Sequence, residues 1–337
     1  SIQNQSKNVY TKFVRTNKHN LQKSCLIKVN ANPFERCDDF ARPFVAIGIG
    51  IFMLDRGHIE FIQSQVLPWQ TIGSGLARPD AEFKLLSRDP ADGACSALMR
   101  YPVGWSRSGP EHIQADEEFY VLEGALEMDG HVYPADSYAF LPAGWTRHEM
   151  SAPQGCVLIA FYNREPTLIN RSGDGSAEAA NRTIRHLDVA AMAWDMTLND
   201  PNLKHLGISR KDLRTDPETG ERTFLSLILP QATPQGGSGP QEKHPVVEEA
   251  YVISGSLTGP QGTMHPGAYF WRPPEIAHGP FGSRWGSVSL MRFVGGKHVN
   301  IWTDQEASFQ YDAPYAPILP DELQEVGKAQ WSPPPVY

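Results

Sequence analysis

Two stretches of this sequence set imidazoles and carboxylates at spacings that suit a metal ion. In the better furnished one, Gly236, Glu242, His244, Glu248 and Gly255 fall in one run, and Gly267, Pro273 and His278 follow. Side chains alternate faces along a β-strand, so groups from neighbouring strands of a small barrel can converge in its interior. Here His244 and Glu248 would arrive from adjacent strands and His278 from a third. Two imidazoles and one carboxylate suit divalent iron, with zinc, manganese or nickel as alternatives. If only three protein ligands bind, positions stay open for water, oxygen or substrate. Glu242 is then a fourth ligand, a salt-bridge partner or a solvent-facing residue, and in a non-redox reaction Glu242 or Glu275 is the candidate general base.

The other stretch repeats the spacing with Gly104, Pro110, His112, Glu117 and Gly124, and His148 follows. Pro110 cannot ligate through its side chain, so this set offers His112, Glu117 and His148, with Gln114 as an addition. A second register takes His112 and Gln114 as the paired ligands and Glu118 as the carboxylate. Each feature alone has a bland reading: a lone buried His is usually a core residue, and paired glutamates are usually solvated. Arg100, Arg147, Arg272 and Arg292 lie in or near strand-like segments and could meet an anionic substrate. Surface ion pairing is the simpler expectation for each.

The elements that must position these groups come in two copies. Ile59–Trp69 resembles Ile184–Trp194, Asp89–Gly93 resembles Asp216–Gly220, and Phe119–Leu126 resembles Ala250–Leu257. Each copy closes on a Pro-rich turn and a His. A repeat of this length implies two related domains. The expected division is an extension over 1–55, a first domain over 56–169, a linker over 170–183, a second domain over 184–305 and a tail over 306–337. Short aromatic and β-branched runs bounded by Gly, Pro or Asp-Gly read as strands of an all-β sandwich or barrel. Met128–Gly130 carries a hairpin-turn signal. The best helical pattern is Leu319–Ala329.

Composition narrows the function classes. The net charge of −8 and the lack of a basic run argue against a nucleic-acid partner. The longest apolar run, Phe44–Leu54, is too short to cross a bilayer and reads as a buried strand. Cys25, Cys37, Cys95 and Cys156 form no CxxC pair and fit no disulfide framework, so they read as reduced thiols of a cytoplasmic protein. No nucleotide-binding loop or hydrolase triad is present.

The spacing of both stretches resembles the signature of the cupin superfamily, with Glu242 in the place of the first His of the paired motif and Glu275 in the place of a Gly. The chain is similar to the two-domain cupins over roughly residues 59 to 300. Phe119–Leu126 with its flanks and Ala268–His278 look like the group related to the cupin domain of zinc-binding anti-sigma factors. The resemblance implies two double-stranded β-helix (jelly-roll) barrels in tandem, each with a metal cavity. It places metal ligands on His112, Glu117 and His148 and on His244, Glu248 and His278. It implies an enzyme, most readily a non-haem iron dioxygenase acting on a small diketone- or phenol-like compound. A non-redox hydrolase, lyase or isomerase, or a metal-binding sensor, are the alternatives. A small-molecule substrate, no membrane partner and a homodimer are the matching expectations.

Overall fold

The computed structural model describes residues 56–71, 76, 78–175, 177–198, 200–329, 331–333 and 336. The extension over 1–55, the apolar run over 44–54, Cys25 and Cys37 lie outside the described residues. The first copy carries β1 (Ile59–Gln63), β2 (Glu82–Arg88), β3 (Cys95–Tyr101), β4 (Trp105–Ile113), β5 (Glu117–Met128), β6 (His131–Pro134), β7 (Ser137–Leu141), β8 (Arg147–Ala152), β9 (Cys156–Tyr162) and β10 (Leu168–Ile169). After α1 (Ala177–Arg182) the second copy carries β11 (Ile184–Asp188), β12 (Ser209–Thr215), β13 (Arg222–Ala232), β14 (Ser238–Lys243), β15 (Val247–Gly255), β16 (Leu257–Gly259), β17 (Gly262–Met264), β18 (Ala268–Arg272), β19 (Ser283–Val294) and β20 (Ile301–Ser308).

The main sheets of the two copies match strand for strand. One runs β11-β7-β5-β9-β3-β2 and the other β1-β18-β15-β19-β13-β12. Each sheet is therefore completed at one edge by the leading strand of the other copy. Every residue of β1 is buried, so that exchange covers an edge that would otherwise expose unpaired backbone. The sequence boundaries at 56–169 and 184–305 follow the repeat, whereas the sheets cross them, and both copies belong to one compact unit. The segment expected as a linker holds α1, and the C-terminal helical pattern yields one α-turn, Asp321–Gln324, and a 3-10 turn, Val326–Lys328.

Local chemistry explains the turns. Met128 pairs with His131 across Asp129 and Gly130, whose φ angles are 48° and 76°. Two successive positive φ values make the tight hairpin that Asp-Gly favours. The Gly seven residues after each glutamate, Gly124 or Gly255, has a positive φ and lies against the backbone of Gly155 or Gly286, leaving no space for a Cβ.

The paired glutamates are not solvated. In β5 and β15 alternation turns Glu117 and Glu248 into the interior of their own copy and Glu118 and Glu249 into the seam between copies. Glu118 accepts hydrogen bonds from Tyr138 at 2.7 Å, from Arg292 Nε at 3.0 Å and from Thr223. Glu249 accepts from Tyr269 at 2.6 Å and from Ser96 and Arg292. Ser96 and Thr223 each reach across to the other copy, and Arg292 bridges both carboxylates. Arg147 and Arg272 are thus buried ion-pair partners and Arg292 a partly buried one, and only Arg100, paired with Glu82 at 2.5 Å, fits the surface expectation.

Candidate metal centre

In the second copy the end of β14, the turn after it and the start of β15 deliver Glu242, His244 and Glu248. His278 comes from the loop after β18, and its backbone pairs with Glu242 at 2.9 and 3.0 Å. One ligand atom from each of Glu242, His244 and His278 lies within 4.8 Å of the others, and all three residues are buried. Glu248 stands beside this trio. Its Oε2 is 3.3 Å from His278 Nε2 and 3.6 Å from His244 Nε2.

The tautomers are fixed by carbonyls. His244 Nδ1 is 3.0 Å from Val299 O and His278 Nδ1 is 2.9 Å from Ile276 O. A carbonyl oxygen can only accept, so each Nδ1 carries a proton, and in the neutral ring the Nε2 lone pair faces the interior. His278 Nε2 and Glu242 Oε2 are buried without a hydrogen-bond partner. Buried polar atoms are almost always paired, so two orphans on one small cluster fit a cation bound between them. This donor set can hold a divalent metal ion.

Electrostatics divides the two carboxyls. Burial, and then the neighbouring Glu248, pushes Glu242 up to about 8. Burial acts on Glu248 in the same direction, but Arg272 and then the imidazoles of His278 and His244 override it and hold the group below its ordinary value. Arg272, only 1% exposed, hydrogen-bonds Glu248 and reaches Glu60 at 2.6 and 2.7 Å. Burial and Arg272 push His278 down to about 4, which keeps its imidazole neutral.

His298 adds a third imidazole that the spacing pattern did not include. Its ring stacks on Phe293 at 3.6 Å and lies 5.0 Å from the His244 ring, while Nε2 meets Asn300 Oδ1 at 2.7 Å. Burial, and then repulsion from His244, pushes it down to about 3. It follows β19, where no motif places a ligand, and only the returning loop brings it in. Arg272, expected at the surface, was likewise missed as the counter-charge of the site.

Glu275 is corrected. It sits at φ 66° in the turn after β18, its side chain is 55% exposed, and it pairs with Lys243. The left-handed backbone explains why the motif prefers Gly there, and it turns the carboxylate outward.

The first copy does not assemble the expected ligands. Arg147 takes the interior position at the start of β8, so alternation turns His148 outward, where it is 63% exposed. Glu117 is held by Arg147 and by Tyr162 Oη at 2.7 Å. His112 Nδ1 meets Arg171 O at 2.9 Å, and Gln114 is exposed. Arg78 adds a second buried guanidinium and pairs with Glu111. Among the described residues, Glu242, His244 and His278 are the group whose donors converge.

A chamber of about 70 Å³ lies inside the second copy, lined by Glu242, His244, Glu248, His298 and apolar residues such as Phe270 and Met291. A wider cavity of about 400 Å³ adjoins Glu242 and His278 and is bordered by Pro201, His205, Pro280 and Trp302. Leu203, Glu242 and Phe281 line both.

The fold is cupin-like. It is similar to that of a presumed dioxygenase from Nostoc punctiforme, at 18% identity over 78% of this chain and 95% of that one, with a TM-score of 0.61. Oxalate decarboxylase from Bacillus subtilis shows a fainter likeness, at 11% identity over 72% of this chain and 78% of that one, with a TM-score of 0.44. None of the curated proteins matches the sequence. The family model described as a domain of unknown function, DUF4437, matches residues 65–299, and the chain belongs to that family.

Proposed function

We propose that the chain is a metal-dependent enzyme with one reacting centre, in the second copy, and that it is a non-haem iron dioxygenase acting on a small oxygenated, diketone- or phenol-like compound. On this reading each main sheet and its short ribbons form one double-stranded β-helix. The observation that carries the proposal is the meeting of two imidazole Nε2 atoms with an unpartnered carboxylate oxygen beside a chamber that shares Leu203, Glu242 and Phe281 with a wider cavity. His244, His278 and Glu242 would hold the metal, with Glu248 alongside. A divalent metal bound there supplies Lewis-acid chemistry and, if it is iron, the capacity to activate oxygen.

The chain's own residues do the rest. Val299 O and Ile276 O hold the imidazoles in the ligating tautomer. Arg272 keeps Glu248 ionised. The apolar wall of Phe270, Met291 and Phe293 excludes water, which strengthens every charge interaction inside. A non-redox reaction is the second reading, favoured by Glu242. On that reading Glu242 stays off the metal, Glu248 takes its place beside the imidazoles, and a carboxyl that keeps its proton up to about 8 can exchange protons with a substrate near neutral pH. A non-catalytic sensor, the role the anti-sigma-factor resemblance would add, leaves the cavity beside the ligands unexplained.

The test is elemental analysis of the purified protein joined to oxygen uptake on small diketones and catechols. Iron with oxygen consumption supports the dioxygenase. Zinc with no uptake supports the non-redox reading, and a metal-free protein that fails to take up divalent ions overturns both.

A further inference from the structure

The same three positions on the interior wall differ sharply between the copies. In the first copy one cross-strand row runs Phe83–Met99–Leu158 through β2, β3 and β9. The corresponding row of the second copy runs Arg210–Ser226–Ser289 through β12, β13 and β19. The correspondence is fixed by register, because Leu158 lies opposite Val121 in β5 and Ser289 opposite Val252 in β15. Phe83, Met99 and Leu158 are at most 3% exposed and belong to a packed apolar core. Arg210, Ser226 and Ser289 line the 70 Å³ chamber with the metal-centre residues.

This polar row is not satisfied from within. Arg210 Nε and Ser289 Oγ are buried and lack hydrogen-bond partners. The nearby Asp212 is taken by Arg222. The Arg210 guanidinium packs 4.7 Å above the Phe224 ring, and its charge reaches Glu242 across the chamber. A guanidinium Nε left without a partner beside an apolar wall is costly unless something meets it. Its planar donors match a carboxylate in two parallel hydrogen bonds.

We propose that the substrate carries a carboxylate, which Arg210 and Ser289 anchor so that the rest of a small acid extends toward Glu242, His244 and His278. This rests on the reading of the second copy as the reacting centre. The inner chamber has space for the order of five water-sized centres, so a short acid fits it and any longer part lies in the outer cavity. Arg210 is a specificity-determining residue, and the first copy, with Phe83 in its place, takes no such ligand.

The experiment is titration calorimetry with pyruvate, malonate and benzoate, each against its neutral amide, on metal-free and Mn(II)-loaded protein. Wild type, Arg210→Gln, Arg210→Lys and Phe83→Leu are compared, and Mn(II) uptake is measured separately. Wild type is expected to bind at least one acid about tenfold or more tighter than its amide. Arg210→Gln should lose that preference while still taking up one Mn(II), with affinity equal to or tighter than wild type because a cation near Glu242 is removed. Arg210→Lys should recover part of the preference, and Phe83→Leu should keep it. Equal binding of acid and amide, no saturable binding of any acid, or a preference that survives in Arg210→Gln would overturn the proposal. If acids bind through Arg210 but Mn(II) does not bind, the anchor stands and the metal reading falls.

Discussion

The two copies share one strand order and one glutamate register, yet their interiors solve the same electrostatic problem differently. Each buries an inward carboxylate, Glu117 or Glu248. The first copy surrounds its carboxylate with Arg147, Tyr162 and Arg78 and packs the remaining space with apolar side chains. The second places His278 where the first has Arg147 and leaves lone pairs, a protonated carboxyl and open volume. Each inward carboxylate keeps a built-in cation, Arg147 or Arg272, and the second interior adds imidazoles ready for an external cation. The repeat thus supplies a scaffold twice and a site once, which is how function comes to lie in particular side chains and not in the fold.

The comparison can be broken most forcefully at the arginines. Arg147→Met leaves Glu117 buried with Tyr162 and the charge of Arg78 but without its ion-pair partner, and Arg272→Met strips Glu60 and Glu248 together. Loss of one partner from a buried pair costs about 3–5 kcal/mol, so both variants should unfold at clearly lower urea concentration. Arg147→Met should keep full metal content. If it loses the metal, the first interior is not the independent structural half described above.

His278→Ala attacks the other half. Removal of a direct ligand should weaken metal affinity by more than about a hundredfold, beyond the loss typical of an outer-shell change. Competition against a chelator reads it out. His148→Ala, on the outer face of β8, should leave affinity unchanged.

Proton linkage sharpens the contrast further. Glu242 is raised to about 8 in the metal-free protein, so binding a cation at neutral pH must release its proton. Metal affinity should fall about tenfold per pH unit below about 8, and Glu242→Gln should flatten that slope. The stability signs are opposite for two groups of the site. Because the folded-state value of Glu242 is raised, its contribution is fully present below about 4.5 and is lost as pH rises toward 8. For Glu60, burial is overridden by Arg272 and the carboxyl is held at about 2, so its contribution is present above about 4.5 and is lost as pH falls. Urea melts of metal-free wild type and Glu60→Gln across this range separate the two.

The smallest effect belongs to Glu275. Glu275→Gly restores the residue the turn prefers, relieving left-handed strain while adding freedom to the unfolded chain. Stability should move by less than about 1 kcal/mol, with metal content unchanged. A loss of catalytic activity in this variant would return Glu275 to the site.

Much of this was legible in sequence because strands encode it locally. The repeat, the Asp129–Gly130 hairpin and the approach of His244 and His278 follow from period-two alternation and turn chemistry, while the third converging oxygen belongs to Glu242 and not to the expected Glu248, which Arg272 holds. The first copy misled because His148 lies one residue beyond the motif position. In a strand a single step reverses the face, so Arg147 and not His148 points inward. The exchange of β1 and β11 between copies, the return of His298, the burial of Arg272 and the pairing of Arg292 with Glu118 depend on partners more than a hundred residues away or on loop paths. No spacing rule reports those.

The most direct test is to locate bound metal in crystals of the full chain by anomalous scattering, after loading with Mn(II). One ion per chain, between Glu242, His244 and His278, is the expected result, with no ion between Arg78 and Arg147. An ion in the first copy, or an empty second copy under saturating metal, would contradict it.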